Sequence, residues 1–124
     1  MYKLKRTNEL EPIRQMYAYE FSNCDFPEDH TFWMAVDQAS GLAIGFASAV
    51  YRPDSGYVYL GSCWVHPLAR GHKLQRRFLK ARVAWARKKG ADRVVTYTVL
   101  QNYPSMVNLL ACGFEFYKPR ADRK

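Results

Sequence analysis

The chain has 124 residues, 48% of them hydrophobic and 15% aromatic, which is enough apolar material for one packed core and unlike the composition of a disordered segment. No run approaches the roughly 20 apolar residues needed to cross a bilayer, and the opening MYKLKRTNELEPIRQ is too polar for a secretory leader; one soluble cytoplasmic domain, residues 1–124, is expected. The formal charge of +8 is unevenly spread, with +2 in residues 1–14, −5 in residues 15–51 and +11 in residues 52–124.

That asymmetry suggests two surfaces of opposite preference, one for an anionic ligand and one for a cationic ligand. A nucleic acid is an alternative partner for the basic part. Cys24, Cys63 and Cys112 lie far apart without metal-ligand spacing, and His30, His66 and His72 form no i, i+4 pair. A reducing compartment is therefore expected, with no disulfide framework and no metal site.

In chain order, residues 2–6 alternate weakly as a first strand. Thr7 and Asn8 then offer capping side chains to a helix with Glu9 and Glu11 in its first turn. Leu10, Ile13, Met16, Tyr17 and Phe21 recur at three- and four-residue intervals, so this helix is amphipathic. SNCDFPEDH breaks it, and Pro27-Glu28 can open a short turn. Residues 32–36 and 42–51 read as a hairpin around Asp37–Gly41, and residues 57–66 as the third member of an antiparallel meander after the Arg52–Gly56 turn. Pro67 ends that strand.

The stretch VHPLARGHKLQRRFLKARVAWARKK, residues 65–89, is the most informative. It reads as a strand end, a basic turn at Arg70-Gly71 and a helix with Lys73, Arg76 and Arg77 in its first turn. Cations usually gather at the C-terminal end of a helix, where the dipole favours them. Placed at the start, beside N–H groups that lack intrahelical acceptors, they describe a phosphate site. Leu74, Phe78, Ala81 and Trp85 form the apolar face, Arg76, Lys80 and Arg87 an outer one, and Lys88-Lys89-Gly90 the stop. Residues 93–100 are a strand rich in β-branched residues, and strand–helix–strand at this spacing implies a right-handed parallel crossover. Asn102 follows, then a short helix from Tyr103-Pro104-Ser105, a turn at Cys112-Gly113 and a last strand over residues 114–117.

Val65-His66-Pro67 leading to Arg70-Gly71 and a long helix, Asn102 at the next strand end, and Gly113-Phe114 behind a short helix together resemble the GNAT superfamily of acetyl-CoA-dependent N-acetyltransferases. The resemblance spans residues 57–117. It implies an α/β fold: a GNAT-like mixed sheet with an antiparallel N-terminal meander and a parallel strand–helix–strand crossover at the cofactor site. It also implies direct transfer of acetyl from acetyl-CoA to a primary amine on a small molecule or peptide. Arg70, Gly71, His72, Lys73, Leu74, Gln75 and Arg76 would hold the pyrophosphate, main-chain groups of Cys63, Trp64 and Val65 the pantetheine arm, and Asn102 the same arm.

Three positions depart from the family pattern. Lys73 and Gln75 stand where its turn has glycine and glycine or alanine; a non-glycine residue still supplies its N–H there if its φ is helical, and Lys73 adds a cation near the phosphates. Leu109 replaces the Tyr that many members place seven residues after the Asn. Tyr103 and Tyr117 are then the acid candidates, with solvent as a substitute. Glu28 is the base candidate, chosen from an acidic segment that also holds Glu20, Asp25, Asp29 and His30. Tyr17, Tyr19, Phe21, Phe26 and Trp33 are candidates for an acceptor wall. His66 is read as filler and Cys63 as a small buried hydrophobe. A domain of this kind without activity, serving binding or regulation, is the main alternative, and a homodimer is compatible with the sequence.

Overall fold

The computed structural model describes residues 1–21, 24–96, 109–110 and 112–115. The elements are β1 (Tyr2–Thr7), α1 (Leu10–Glu20), β2 (Thr31–Asp37), β3 (Ala43–Arg52), β4 (Tyr57–Val65), α2 (Leu74–Lys89) and β5 (Arg93–Val95). They build one sheet in the order β1-β2-β3-β4-β5, antiparallel through β4 and parallel between β4 and β5. This is the meander and crossover expected of the sequence.

Period-2 alternation sorts the strand side chains between two helices. Phe32, Met34, Phe46 and Trp64 pack with Ile13, Met16 and Tyr17 of α1. Trp33, Ala35, Ala47, Ala49, Val58, Leu60 and Val65 pack on the other face with Leu74, Phe78, Leu79, Trp85 and Ala86 of α2. Trp33 therefore belongs to the α2-side core, edge to face with Trp85 at 5.5 Å between ring centroids, and not to an acceptor wall beside α1. A residue directly between two neighbours facing α1 must face away from it.

Local chemistry explains the boundaries. Glu9 is the N-cap of α1 without a side-chain cap bond, and the Thr7 hydroxyl instead accepts the Glu9 N–H at 3.0 Å, so the expected cap sits one step too early. Pro27 and His30 close a turn through a 3.1 Å backbone bond. Gly90 ends α2 at φ 79, its N–H reaching the Ala86 and Arg87 carbonyls. Gly113, at φ 91, ends the short helical segment at Leu109 and Leu110: its N–H donates to Leu110 at 3.1 Å and that of Phe114 to Leu109 at 3.0 Å. The Gly-Phe pair thus works as a helix stop, with Phe114 packed against the α2-side core. The expected continuation of β5, the helix start at Tyr103 and the end of the last strand lie outside the described residues.

Two register shifts interrupt the sheet, and the one between Ala47 and Ala49 matters for the site. Ala47 opposes Cys63 while Ala49 opposes Leu60, so the Ser48 peptide faces two residues, Gly61 and Ser62. On the other side of β4, the described residues of β5 pair with Tyr57 to Tyr59. Next along the strand the Thr96 hydroxyl donates to the Leu60 carbonyl at 3.2 Å.

Candidate functional site

A cleft of about 630 Å³ opens where β4 gives way to α2. Its walls include Cys63, Trp64 and Val65 of β4, then Arg70, Gly71, Lys73, Leu74 and Gln75 of the turn and helix start. Eight of the eleven residues expected from sequence to hold the coenzyme therefore meet in one place. His72 and Arg76 are not among the wall residues: His72 sits edge-on to the Tyr2 ring at 5.2 Å, and Arg76 is half-buried in the first turn of α2. Asn102 lies outside the described residues. Arg77, also in that first turn, donates to the Tyr2 carbonyl at 3.1 Å and ties α2 to the sheet edge.

The turn is held from within. His66 Nδ1 accepts the Leu68 N–H at 3.1 Å and caps a 3₁₀ turn over Pro67–Ala69, so this side chain is more than filler. Arg70 Nε donates to the Val65 carbonyl at 2.9 Å and straps the loop back onto β4. Gly71 at φ 88 and Lys73 at φ 60 then adopt left-handed conformations on either side of His72. Left-handed residues before a helix turn successive N–H groups toward one concavity, and α2 adds the N–H groups of its first turn, with no side-chain cap across them. The concavity carries the charge of Lys73 and Arg70 and suits a pyrophosphate.

Lys73 does not meet the helical condition. It occupies the left-handed region, which favours glycine, and not a right-handed helical φ. A Cβ in that region costs about 1 kcal/mol. Lys73→Gly is therefore expected to raise the melting temperature by about 4 °C in a thermal scan, since the side chain it removes is exposed.

Glu20 and Phe21, at the end of α1, complete one wall of the cleft. Of the expected acceptor wall Phe21 lines the cleft, while Tyr19 is 77% exposed with its ring 6.0 Å from that of Trp64. Tyr17 is buried in the α1-side core, its hydroxyl donating to the Asp25 carbonyl at 3.1 Å, and Phe26 stacks on Phe32 at 5.1 Å. Glu28 forms an exposed ion pair with Arg14 at 2.6 Å, and that bond holds its carboxyl below the usual range, which weakens it as a proton acceptor. Asp29 pairs with Arg52 at 3.1 Å. Tyr103 and Tyr117 lie outside the described residues.

Three further side chains stand behind the β4 wall. Cys63 is partly exposed, but the atoms packed around its sulfur push the thiol pKa up, so it is a poor nucleophile, as its reading as a small hydrophobe implied. Arg82, which the sequence reading passed over, is 5% exposed on the inner face of α2. Its Nε donates to the Phe78 carbonyl at 3.3 Å and its terminal nitrogen to the Ser48 carbonyl at 3.0 Å, at the register shift. Burial lowers its pKa, with the neighbouring Cys63 acting the other way. Position 82 falls four residues after Phe78 and three before Trp85, a helical spacing that marks it as inward-facing. His30 is half-buried with Nδ1 3.0 Å from the Ser48 hydroxyl.

By sequence, residues 1–114 match the family described as "Acetyltransferase (GNAT) family". No curated protein matches the chain by sequence. Solved structures share the fold. The aminoglycoside N-acetyltransferase AAC(6')-Iy, in complex with the bisubstrate analog CoA-S-monomethyl-acetylneamine, is 23% identical, with 98% of this chain and 99% of that one covered at a TM-score of 0.78. A putative acetyl transferase from Pyrococcus furiosus is 17% identical, with 100% and 99% covered at 0.79. Glucosamine-6-phosphate N-acetyltransferase from Arabidopsis thaliana is 13% identical, with 100% and 98% covered at 0.73.

Proposed function

Because the chain belongs to the acetyltransferase (GNAT) family, we propose that it transfers an acetyl group directly from acetyl-CoA to a primary amine. The observation that carries this reading is the cleft between the C-terminal end of β4 and the uncapped start of α2. The pyrophosphate sits on the N–H groups around Gly71 and Lys73, with Arg70, Lys73 and Gln75 at its rim. The pantetheine arm runs along Cys63, Trp64 and Val65, which line the cleft, and a main-chain N–H there draws electron density from the thioester carbonyl. Asn102 holds the same arm. Tyr103, Tyr117 or solvent returns a proton to the leaving thiolate.

The acceptor is a cationic amine, a small molecule or a peptide side chain. The segment 15–51 carries five acidic residues and no lysine or arginine, and Glu20 lies in the cleft wall itself. The neighbours named for aminoglycoside and glucosamine-6-phosphate acetylation act on amines borne by polar molecules. The protein acts as one domain over residues 1–124, in the cytoplasm.

Calorimetric titration with acetyl-CoA tests the reading. Binding is expected, with an affinity that falls as salt screens the cationic rim and drops by about three- to tenfold in Lys73→Gly, the equivalent of about 1 kcal/mol. Absence of heat with the intact protein sinks the coenzyme assignment. Coenzyme binding without thiol release from any of a panel of polyamines, amino sugars and lysine peptides favours an inactive binding domain. Tight retention of RNA that coenzyme A does not displace favours a nucleic-acid module.

A further inference from the structure

We infer that the His30 imidazole is the proton acceptor for the attacking amine, held over the bare backbone of Gly61 by Ser48. The inference rests on the acetyl-transfer reading above. It begins from a gap in the strand. A Cβ built on Gly61 would lie 2.9 Å from both Cε1 and Nδ1 of His30 and would collide with the Ser48 hydroxyl. Glycine there lets an imidazole rest directly on β4. Gly61 is also one of the two residues opposite Ser48 at the register shift, and stands two residues before Cys63, which lines the cleft. The ring is thus seated beside the part of β4 where the thioester carbonyl is to be polarised.

Its setting is that of a positioned base. The backbone turn from Pro27 delivers His30 to the start of β2, and the Ser48 hydroxyl fixes Nδ1. In the tautomer that donates Nδ1–H to Ser48, Nε2 carries the lone pair. Phe32 and Tyr59 flank the ring at 6.4 and 6.5 Å between centroids. The charged groups near it, Asp29 from its own segment and Arg52 from the end of β3, are paired with each other and act on it in opposite directions. Burial dominates and lowers its pKa, so the imidazole is neutral at pH 7. The acidic alternatives are less suited, since Glu28 and Asp29 are in ion pairs.

The step balances without another reactant. A cationic acceptor first gives its ammonium proton to solvent. The lone pair of the resulting neutral amine forms the C–N bond and the C–S bond breaks. One N–H proton passes to Nε2 of His30 and then from the imidazolium, directly or through solvent, to the thiolate, so amide and thiol are the products and the imidazole is neutral again.

The test follows the three histidines, assigned by substitution, by NMR titration of the free protein and of its acetyl-CoA complex, with initial rates alongside. The acid limb of the rate profile is expected below the ordinary histidine pKa, since a lowered pKa keeps the base available to lower pH. His30→Gln is expected to lose about 10²-fold in kcat at pH 7, to lose that acid limb, and to keep its KM for acetyl-CoA within about twofold. Imidazole in solution is expected to restore part of the rate of His30→Ala. Acetyl-CoA that binds but leaves the His30 titration where it stands in the free protein overturns His30 alone, as does a His30→Gln enzyme with the full rate and an unchanged profile. A protein that binds no acetyl-CoA overturns the acetyl-transfer reading and this inference with it.

Discussion

Phe78→Ala is expected to lower the unfolding free energy by about 3–5 kcal/mol, read from urea denaturation. The ring is fully buried in α2 and belongs to the core beneath β3 and β4. A Cβ placed on Gly45 would lie 3.5 Å from Phe78 Cε2, so the phenyl ring fills the space that this glycine leaves. Truncation removes the transfer free energy of the ring and leaves a cavity between helix and sheet, neither of which can close freely. Against a typical total of about 5–15 kcal/mol, such a loss places the protein near its threshold. Because α2 also forms one wall of the cleft, acetyl-CoA is expected to raise the variant's apparent melting temperature, as ligand binding stabilises any folded state by mass action. A variant within about 1 kcal/mol of the wild type contradicts the assignment of Phe78 as the central contact of α2.

Arg82 separates two contributions that a single deletion would confuse. Arg82→Ala is expected to cost about 3 kcal/mol, because it opens a cavity and removes the donor to a buried carbonyl, a loss of about 1–3 kcal/mol by itself. Arg82→Met keeps most of the volume and also removes a buried cation that has no ion-pair partner among the described residues. Relief of that desolvation offsets the lost hydrogen bonds, so Met is expected to stay within about 1 kcal/mol of wild type. Both variants are expected to acetylate more slowly, by about tenfold in kcat, with smaller changes in KM for acetyl-CoA. The reason is geometric: Arg82 links α2, whose start forms the proposed coenzyme site, to the Ser48 carbonyl, where the strand register slips, while the hydroxyl of the same serine holds His30. Loosening that peptide moves the β4 wall and the proposed base together. Equal stability losses for Met and Ala, with unchanged kcat in both, would remove Arg82 from this role and leave it a packing residue.

His30, Ser48, Gly61 and Arg82 show why these consequences are hard to read in one dimension. They come from the turn before β2, from β3, from β4 and from α2, and only the antiparallel register and its shift between Ala47 and Ala49 bring them to one serine. His30 carried no spacing signal and was one of five interchangeable acidic or basic candidates. Arg82 did carry one, the helical interval from Phe78 to Trp85, but charge argued for the outside. The φ of Lys73 is hidden in the sequence for a similar reason. Its type favours a right-handed φ, and only the close succession of a strapped loop and a helix start imposes the left-handed one.

By itself the sequence determined the order of elements from Tyr2 to Val95, the ends of α2, the helix stop at Gly113 and the eight residues that meet at the cleft. Those features depend on periodicity, turn residues and caps within a few positions, where chain connectivity already holds the interacting groups together. The tertiary structure alone decided that Trp33 faces α2, that Glu28 is tied to Arg14, and that an imidazole lies on a strand with no side chain in its way. Each of these depends on which face a strand residue presents to a partner far along the chain, and that is settled by packing and register across the sheet.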